Sequence, residues 1–547
     1  MQNTKKSFLN GALILAAAGL ICKVIGAVYK IPLRNFIGEE AMGIYSIVYP
    51  IYTFLLIFST SGIPTAISKL VAQERSKGNF SGAHAVFISS LKMLSVIGGA
   101  TTALMLLGAP IISSWLKIDS PQPVMAISFS LLFVSLLSAW RGYYQGLQNM
   151  TPTAITQLVE QIVKLAAGFY FAISWQNKFD NYVMSAAGAL FGITVSELAA
   201  FLLIFVMYRF SKKKIVTFTE KSRTKTSYLK PLLLIAIPMT LGAAIKPLVD
   251  GIDSIMVKNI LLNQLNFNSE YIDALYGYLK SDCGTLINMP TVLTVALSMS
   301  IVPAVSEALA RNDIAQVKSI SKTNLKLSFV FGLPCTLGFA LLAKEILSLL
   351  YTYQDKQYGE FFLSSEAKLA CAATFLTILS VGVLFLAIVQ TTAGALQGIG
   401  KVTIPVINLG IGMAVKILLN LILVPIPQVN IYGVPIGTVL CYAIAAILDI
   451  IFVIKYTKIR FDFINTFLRP AAASAVMALS VLALKAIMPD YSRIFTVIII
   501  AGAVIVYVAA LIIFNVFDEN DFSQMPAGSK IEKLFKKLGI KVRRGEQ

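Results

Sequence analysis

The chain has 547 residues, of which 57% are hydrophobic and 13% are charged, and its formal net charge is +19. About a quarter of the residues in an average soluble domain are charged, so this composition argues against a soluble protein and favours a polytopic membrane protein. The excess of cations could suggest binding of nucleic acid, but most of them lie in alternate loops and in the tail, as membrane topology requires.

Apolar stretches near or above the roughly 20 residues needed to cross a bilayer recur along the whole chain. The sequence therefore predicts an all-α polytopic membrane protein with about 14 transmembrane helices. The first stretch has no small-residue cleavage site after a short apolar core, so it is not predicted to be a removable signal peptide. The predicted spans are 9–31, 43–63, 85–108, 124–146, 153–175, 182–208, 231–260, 282–305, 327–350, 367–395, 402–424, 433–454, 467–487 and 494–515.

The basic residues predict the orientation of these spans. If the N-terminus is cytoplasmic, most lysines and arginines outside the spans fall in inner loops and tails, especially in 209–230 and 530–544. The outer loops then hold only Arg34, Lys117, Lys178, Lys280, Lys356 and Arg493. The positive-inside rule thus predicts a multi-pass protein with both termini in the cytoplasm.

Two similar blocks of six spans follow one another. GYYQG at 142–146, Thr151 and Lys164 match GALQG at 394–398, Thr403 and Lys416 by one offset of 252 residues, and GIPTAIS (62–68) echoes SIVPAVS (300–306). An even number of helices per block predicts parallel repeats. The predicted organisation is an N-terminal lobe 1–210, a basic linker 211–230, a C-terminal lobe 231–456, two further spans in 457–515, and a basic tail 516–547 with an amphipathic helix at 529–538.

Motifs for enzyme chemistry are missing from the sequence. GALQGIGKVT resembles a phosphate-binding loop, but Ala395 and Val402 replace its glycine and its Ser/Thr, and it follows a transmembrane helix. The five cysteines have neither metal-ligand nor redox spacing. We therefore predict no catalytic residue, no metal site and no cofactor, and we expect the membrane potential, H⁺, Na⁺ or the substrate gradient to drive any transport.

Several cations lie inside predicted spans, where each costs at least about 2.5–3.5 kcal/mol and normally faces a bundle interior or an aqueous cavity. On an ideal helix Lys30 and Arg34 lie within about 20° of Lys23, so the three form one stripe if the helix continues past Pro32. Alternatively, Arg34 lies at the outer interface and Lys23 pairs with a carboxylate. The cavity candidates are Lys23, Lys30, Arg34, Arg141, Lys164, Lys246 and Lys416.

Three acids are candidates for gating or ion coupling. Asp250 and Asp253 share a helix face with Lys246, and Glu160 lies four residues before Lys164. Each i, i+4 pair can be a self-neutralising structural ion pair instead. Glu197 and Asp449 are lone acids within spans and have no assigned role.

The segment ALQGIGKVTIPVINLGIGMAVKILLNLILVP (395–425) resembles the multidrug/oligosaccharidyl-lipid/polysaccharide exporter superfamily. CKVIGAVYKIPLRNFIGEEAMGIYSIVYPIY (22–52) and GIPTAISKLVAQERSKGN (62–79) are similar to its stage V sporulation protein B/YtgP branch, which includes MurJ-type lipid II flippases. The resemblance implies a V-shaped transporter with a central cavity that alternates between the two sides of the bacterial cytoplasmic membrane.

The implied substrate is an undecaprenyl-diphosphate-linked glycopeptide, with membrane lipids and cell-wall synthesis proteins as further partners. Lys23 matches the position of a cavity cation on helix 1 of family flippases, which tend to have arginine there. Some relatives bind sodium near helices 7, 11 and 12, but 402–424 has no carboxylate. The alternatives are a flippase for another polyprenyl-linked polysaccharide, a multidrug cation antiporter, and a membrane scaffold that transports nothing.

Overall fold

A computed structural model describes residues 2–216, 228–359, 361–459, 462–487 and 493–524. Two compact units divide the chain, Met1–Ser281 and Asp282–Gln547. The predicted tail helix at 529–538 and the part of the basic linker at 217–227 lie outside the described residues.

In the described residues of the first unit, all elements are helices. α9 packs against α1 and α2 within this unit, while the lobe boundary that the repeat predicts at 231 stays a prediction. The helices are α1 (Gln2–Thr60), α2 (Gly62–Ser76), α3 (Phe80–Leu107), α4 (Ala109–Trp115), α5 (Gln122–Ser128), α6 (Ser130–Gly146), α7 (Thr151–Phe179), α8 (Tyr182–Val216), α9 (Leu229–Asn263) and α10 (Ser269–Tyr276), and a π-helical segment, Gly277–Cys283, leads out of the unit.

The second unit adds one small antiparallel hairpin to its helices, with Lys356 opposite Leu363. Its elements are α11 (Gly284–Asn288), α12 (Thr291–Ala310), α13 (Ile314–Leu341), α14 (Ala343–Leu350), β1 (Lys356–Tyr358), β2 (Phe361–Leu363), α15 (Ser365–Gly398), α16 (Thr403–Leu423), a 3₁₀ turn (Asn430–Tyr432), α17 (Gly433–Thr457), a π-helical turn (Ile464–Leu468), α18 (Arg469–Ile487), α19 (Arg493–Ile513) and α20 (Glu519–Gln524).

Among the described residues, 12 helices are long and apolar enough to cross a membrane, or up to 13 if the bent pair Leu229–Ile237 and Met239–Asn263 forms one span. The all-helical polytopic class is therefore confirmed. The predicted number of 14 is higher because the first two predicted spans, 9–31 and 43–63, both lie on α1.

The helical path of α1 is interrupted at Gly38, whose φ of 86° and ψ of 170° are not helical. Only glycine adopts this backbone conformation at low cost. Lys30 and Tyr45 would be about 22 Å apart along a straight helix, yet the Lys30 Nζ lies 5.9 Å from the centre of the Tyr45 ring. The break thus folds the two halves of α1 back toward each other, and each half corresponds to one predicted span.

The glycines of the predicted repeat have the same packing role in both units. A β-carbon built on Gly142 or Gly146 of α6 would lie less than 3.0 Å from α2, and one on Gly394 or Gly398 of α15 equally close to α12. α2 and α12 carry the two echoing segments, 62–68 and 300–306. The two sequence echoes are therefore packed against each other in each unit, as two copies of one structural unit would be.

Candidate substrate-binding site

A ladder of three tyrosines lines the second half of α1. Tyr45, Tyr49 and Tyr52 are four and three residues apart and so lie on one helix face. Their ring centres are 5.6 Å apart between the first two and 5.7 Å between the last two. Tyr45 and Tyr52 are buried, while Tyr49 is half-buried. The ladder offers aromatic faces and hydroxyl groups inside the first unit.

Two lysines from different elements meet this ladder. The Lys30 Nζ lies 5.9 Å from the Tyr45 ring centre, and the Lys164 Nζ of α7 lies 5.9 Å from the Tyr49 ring centre. A cation over an aromatic face gains about 0.5–2 kcal/mol, more when water is excluded. The tyrosines thus hold two ammonium groups close enough for mutual electrostatic interaction.

Tyr29 completes the wall beside Lys164. Its ring packs edge-on against Phe169 at 5.6 Å, and only 2% of the residue is exposed. Its hydroxyl has no hydrogen-bond partner among the described residues. A β-carbon at Gly168 would lie 2.2 Å from that hydroxyl oxygen, so the approach of α1 to α7 requires glycine here. A buried hydroxyl without a partner is a donor available to a bound ligand.

Arg141 and Glu160 form an ion pair between α6 and α7. The Arg141 Nη2 lies 2.9 Å from Oε2 of Glu160, and its Nε donates to the Thr156 hydroxyl at 3.2 Å. The sequence suggested that Glu160 could pair with Lys164 on its own helix, whereas its ion pair joins two helices. Lys164 is thereby left to face the tyrosines, although it stays within electrostatic reach of Glu160.

The remaining residues of the predicted stripe differ in their surroundings. Arg34 is 1% exposed and forms an ion pair with Glu39, with 3.4 Å between Nη2 and Oε2. Tyr278 donates to the other oxygen of that carboxylate at 3.2 Å. Lys23 lies on α1, but its side chain is outside the described ones. The neighbouring Cys22 is within electrostatic reach of Glu160 and Arg141.

The predicted coupling acids of α9 both have lysine partners. Lys246 and Asp250 form the expected i, i+4 pair, with 3.2 Å between Nζ and Oδ2, and about half of the lysine side chain is exposed. Asp253 is fully buried and lies 3.5 Å from the Nζ of Lys280. Each acid is thus compensated by a lysine. A structural ion pair therefore explains both acids, in addition to their predicted coupling role.

Lys416 lies in the second unit. It is 4% exposed on α16. A β-carbon at Gly437 of α17 would lie 3.3 Å from its Cγ and 2.7 Å from the Asn420 side-chain oxygen. The offset of 252 residues relates Lys416 to Lys164, whose Nζ lies 5.9 Å from the Tyr49 ring centre.

The sequence interpretation did not single out the tyrosine ladder, although its i, i+4, i+7 spacing was visible. It also left Glu197 and Asp449 without a role. The offset of 252 residues connects these two acids, since 197 plus 252 is 449, and both are buried on the helix that follows the repeated lysine. Applying the offset to every charged residue would have found them.

Two models of known protein families match the chain. The family model described as polysaccharide biosynthesis protein matches residues 8–309, more than half of the chain. The chain belongs to the polysaccharide biosynthesis protein family. A second model, MatE, matches residues 283–422.

Two curated relatives from Bacillus subtilis (strain 168) are similar to this member of the family. Stage V sporulation protein B is 26% identical, with 91% of this chain and 88% of the relative covered. Lipid II flippase MurJ is also 26% identical, with 79% and 80% covered. A solved structure of lipid II flippase MurJ in the inward closed conformation has a TM-score of 0.67 at 18% identity and covers 92% of this chain and 98% of its own.

These findings confirm the resemblance that the sequence motifs indicated. The chain is a membrane protein of the superfamily of multidrug, oligosaccharidyl-lipid and polysaccharide exporters, whose members among these relatives are flippases and exporters. The similarity to the solved structure shows the fold. The substrate has to be inferred from the residues of the site.

Proposed function

We propose that this protein moves lipid II, an undecaprenyl-diphosphate-linked peptidoglycan precursor, from the inner to the outer leaflet by alternating access. The observation that carries the proposal is the convergence of Lys30 and Lys164 on the tyrosine ladder of α1. The relative named lipid II flippase MurJ and the extent of the match to it support the same cargo.

The chemistry of the cluster suits a diphosphate. Crossing the membrane strips water from the phosphate oxygens, so fixed cations and hydroxyl donors must replace that hydration. Lys30 and Lys164 supply ammonium groups, and Tyr29 supplies a buried hydroxyl without a partner. With Arg141 neutralised by Glu160, the two lysines provide the charge that opposes the anion. Lys23, about two turns before Lys30 on α1, is a further candidate.

The position and energy source of the transporter are part of the proposal. The distribution of basic residues favours the cytoplasmic membrane with both termini inside. An inside-negative potential contributes about 2.3 kcal/mol per charge per 100 mV, enough to help return a net-positive carrier inward. H⁺ and Na⁺ are the alternative coupling ions, with Glu160, Asp250 and Asp253 as gating or coupling candidates.

Two other cargoes have support of their own. The family description, polysaccharide biosynthesis protein, favours a flippase for another polyprenyl-linked glycan, which would use the same diphosphate site. The match of residues 283–422 to MatE, together with the buried Glu197 within electrostatic reach of Tyr52, favours a multidrug cation antiporter. In the antiporter, carboxylates rather than lysines would be essential.

Complementation of a bacterium depleted of its lipid II flippase tests the proposal. We expect rescue by the wild type and loss of rescue by Lys30→Ala/Lys164→Ala at equal membrane abundance. Lys178→Ala, an exposed change near the end of the same α7, is the matched control and should rescue fully. Equal rescue by the double variant would refute the role of the lysine pair, as expected of a scaffold.

A reconstituted assay separates the cargoes. Proteoliposomes are loaded with a polyprenyl-diphosphate glycopeptide, with the same prenyl diphosphate carrying a different glycan, or with a fluorescent organic cation. Movement of the first alone supports lipid II, and movement of both diphosphates supports a broader glycan flippase. Movement of the cation alone, with the lysine variants active, would contradict the proposed function.

A further inference from the structure

Asp449 lies at a junction of three helices in the second unit. It is on α17 and is completely buried. Its two bonding partners come from the neighbouring helices, Asn408 of α16 and Thr392 of α15. The apolar residues around this junction are Leu325, Leu384, Phe385, Ile388, Val389, Leu409, Ala445, Ala446 and Ile450.

The distances between donors and acceptors at this junction indicate the protonation state of the carboxyl group. The Asn408 amide donates to Oδ1 of Asp449 at 2.7 Å. The Thr392 hydroxyl donates to the carbonyl oxygen of Ile388 at 2.6 Å, while Oδ2 of Asp449 lies 3.4 Å from the same hydroxyl oxygen. A threonine hydroxyl has one hydrogen and two lone pairs, and the shorter contact takes the hydrogen. Only a lone pair then faces Oδ2, and a lone pair accepts a proton from a neutral carboxylic acid.

The charges of the surrounding helices lead to the same conclusion. An ionised carboxylate in an apolar site costs several kcal/mol unless a cation compensates it. None of the charged or titratable side chains on the four helices of this region bonds to Asp449 in the described part of the chain. These side chains are Lys318, Lys322, Lys326 and Cys335 of α13, Glu366, Lys368 and Cys371 of α15, Lys416 of α16, and Cys441, Tyr442, Lys455 and Tyr456 of α17.

The corresponding acid of the first unit has different surroundings. Glu197 is related to Asp449 by the offset of 252 residues, and it lies within electrostatic reach of Arg141 and Lys164 as well as Glu160. Cations can therefore compensate a charge on Glu197. Asp449 has neutral donors and acceptors in their place, so of these two acids it is Asp449 that combines burial with uncharged bonding partners.

We propose that Asp449 is a proton-binding site that controls the packing of α15, α16 and α17. With the proton bound, the neutral acid donates to Thr392 and the dry junction stays closed. On deprotonation the O–H bond breaks, the proton passes to an entering water molecule, and the electron pair stays on Oδ2. The anion then needs water, so the three helices separate. The inference holds for any cargo and goes beyond the proposed function.

Cys441 provides a reporter for this opening. It lies on α17 two turns before Asp449, is 2% exposed, and its sulfur would be 3.2 Å from a β-carbon at Gly412 of α16. The test uses the full chain in nanodiscs with Cys22, Cys283, Cys335 and Cys371 replaced by alanine, and measures the rate of maleimide labelling against pH. The same background with Asp449→Asn controls for the ionisation of the thiol itself.

We expect the ratio of labelling rates, wild type over Asp449→Asn, to be near one at acid pH. It should then rise by up to about tenfold per pH unit as the carboxyl group loses its proton. The asparagine keeps both hydrogen bonds of the neutral acid, accepting from Asn408 and donating to Thr392. A ratio that does not change with pH would overturn the proposal.

A second variant decides the role of Thr392 even if Asp449→Asn fails to fold. Thr392→Val removes the acceptor of the carboxyl proton, which disfavours the neutral form. The labelling profile should therefore move to lower pH. If Thr392 instead donates to an ionised Asp449, its loss disfavours the anion and moves the profile to higher pH, which contradicts the proposal. An unmoved profile would also contradict it.

Discussion

Replacement of Gly38 by alanine tests whether the fold of α1 creates the lysine and tyrosine cluster. Gly38 has φ 86° and ψ 170°, a conformation that costs other residues about 1–3 kcal/mol. The added β-carbon would also lie 3.2 Å from Oε2 of Glu40. We expect Gly38→Ala to lower the free energy of unfolding by about 1–3 kcal/mol.

The functional consequence follows from the geometry of the break. Relaxing Gly38 toward a helical conformation increases the distance between Lys30 and Tyr45, which is 5.9 Å from Nζ to ring centre in the folded hairpin and about 22 Å along a straight helix. Transport should therefore fall further than stability alone explains. Each 1.4 kcal/mol of strain transferred to the bound state lowers affinity about tenfold.

Unfolding in detergent with increasing dodecyl sulfate, followed by tryptophan fluorescence, measures the stability. All three tryptophans, Trp115, Trp140 and Trp175, belong to the first unit and therefore report on it. Gly19→Ala is the matched control on the same helix, because none of the described atoms outside the local helix backbone lies within 4 Å of its added β-carbon. It should be neutral or stabilise by up to about 1 kcal/mol. Wild-type stability and transport in Gly38→Ala would refute the reasoning.

Three further changes test buried contacts by unfolding in the same detergent mixture, followed by the loss of helical circular dichroism, because Lys326 and Gly437 lie in the second unit, where the sequence has no tryptophan. Lys326→Met should destabilise the second unit by about 3–5 kcal/mol, because the Lys326 Nζ lies 2.5 Å from Oδ2 of Asp521 and both side chains are almost fully buried. Adding Asp521→Leu should recover most of the lost stability. No recovery would contradict the ion-pair explanation. Arg34→Met should cost a similar amount, because it removes the cation that compensates the buried Glu39 carboxylate. Adding Glu39→Gln should reduce the loss, and an undiminished loss would contradict this explanation. Gly437→Ala should cost about 1–3 kcal/mol through overpacking, and an unchanged midpoint would show that α16 and α17 can separate locally.

The position of the spans could be predicted from sequence because burial in a membrane imposes a length and an apolar composition on each helix. The two halves of α1 were predicted as separate spans for this reason, although the structure contains them in one element interrupted at Gly38. The break itself could not be predicted, because IGEE around Gly38 has no proline and no turn motif beyond one glycine.

The partners of the charged residues were harder to predict than their positions. Periodicity relates residues along one helix, so it suggested Glu160 with Lys164 and correctly paired Lys246 with Asp250. It could not show that Glu160 lies opposite Arg141 of α6. Pairs between helices depend on the crossing of two elements, which local sequence does not specify.

The sequence alone thus determined the membrane class, the repeat and the superfamily, since these depend on composition, spacing and motifs along the chain. Tertiary structure decided which lysines face tyrosines and which acids have cations, because side chains distant in sequence meet only when helices pack. Lys164 and Lys416 are equivalent by offset, but the offset could not show that Lys164 lies beside Tyr49 of the α1 ladder. Glu197 and Asp449 differ in the same way, by the charge on the helices packed around them.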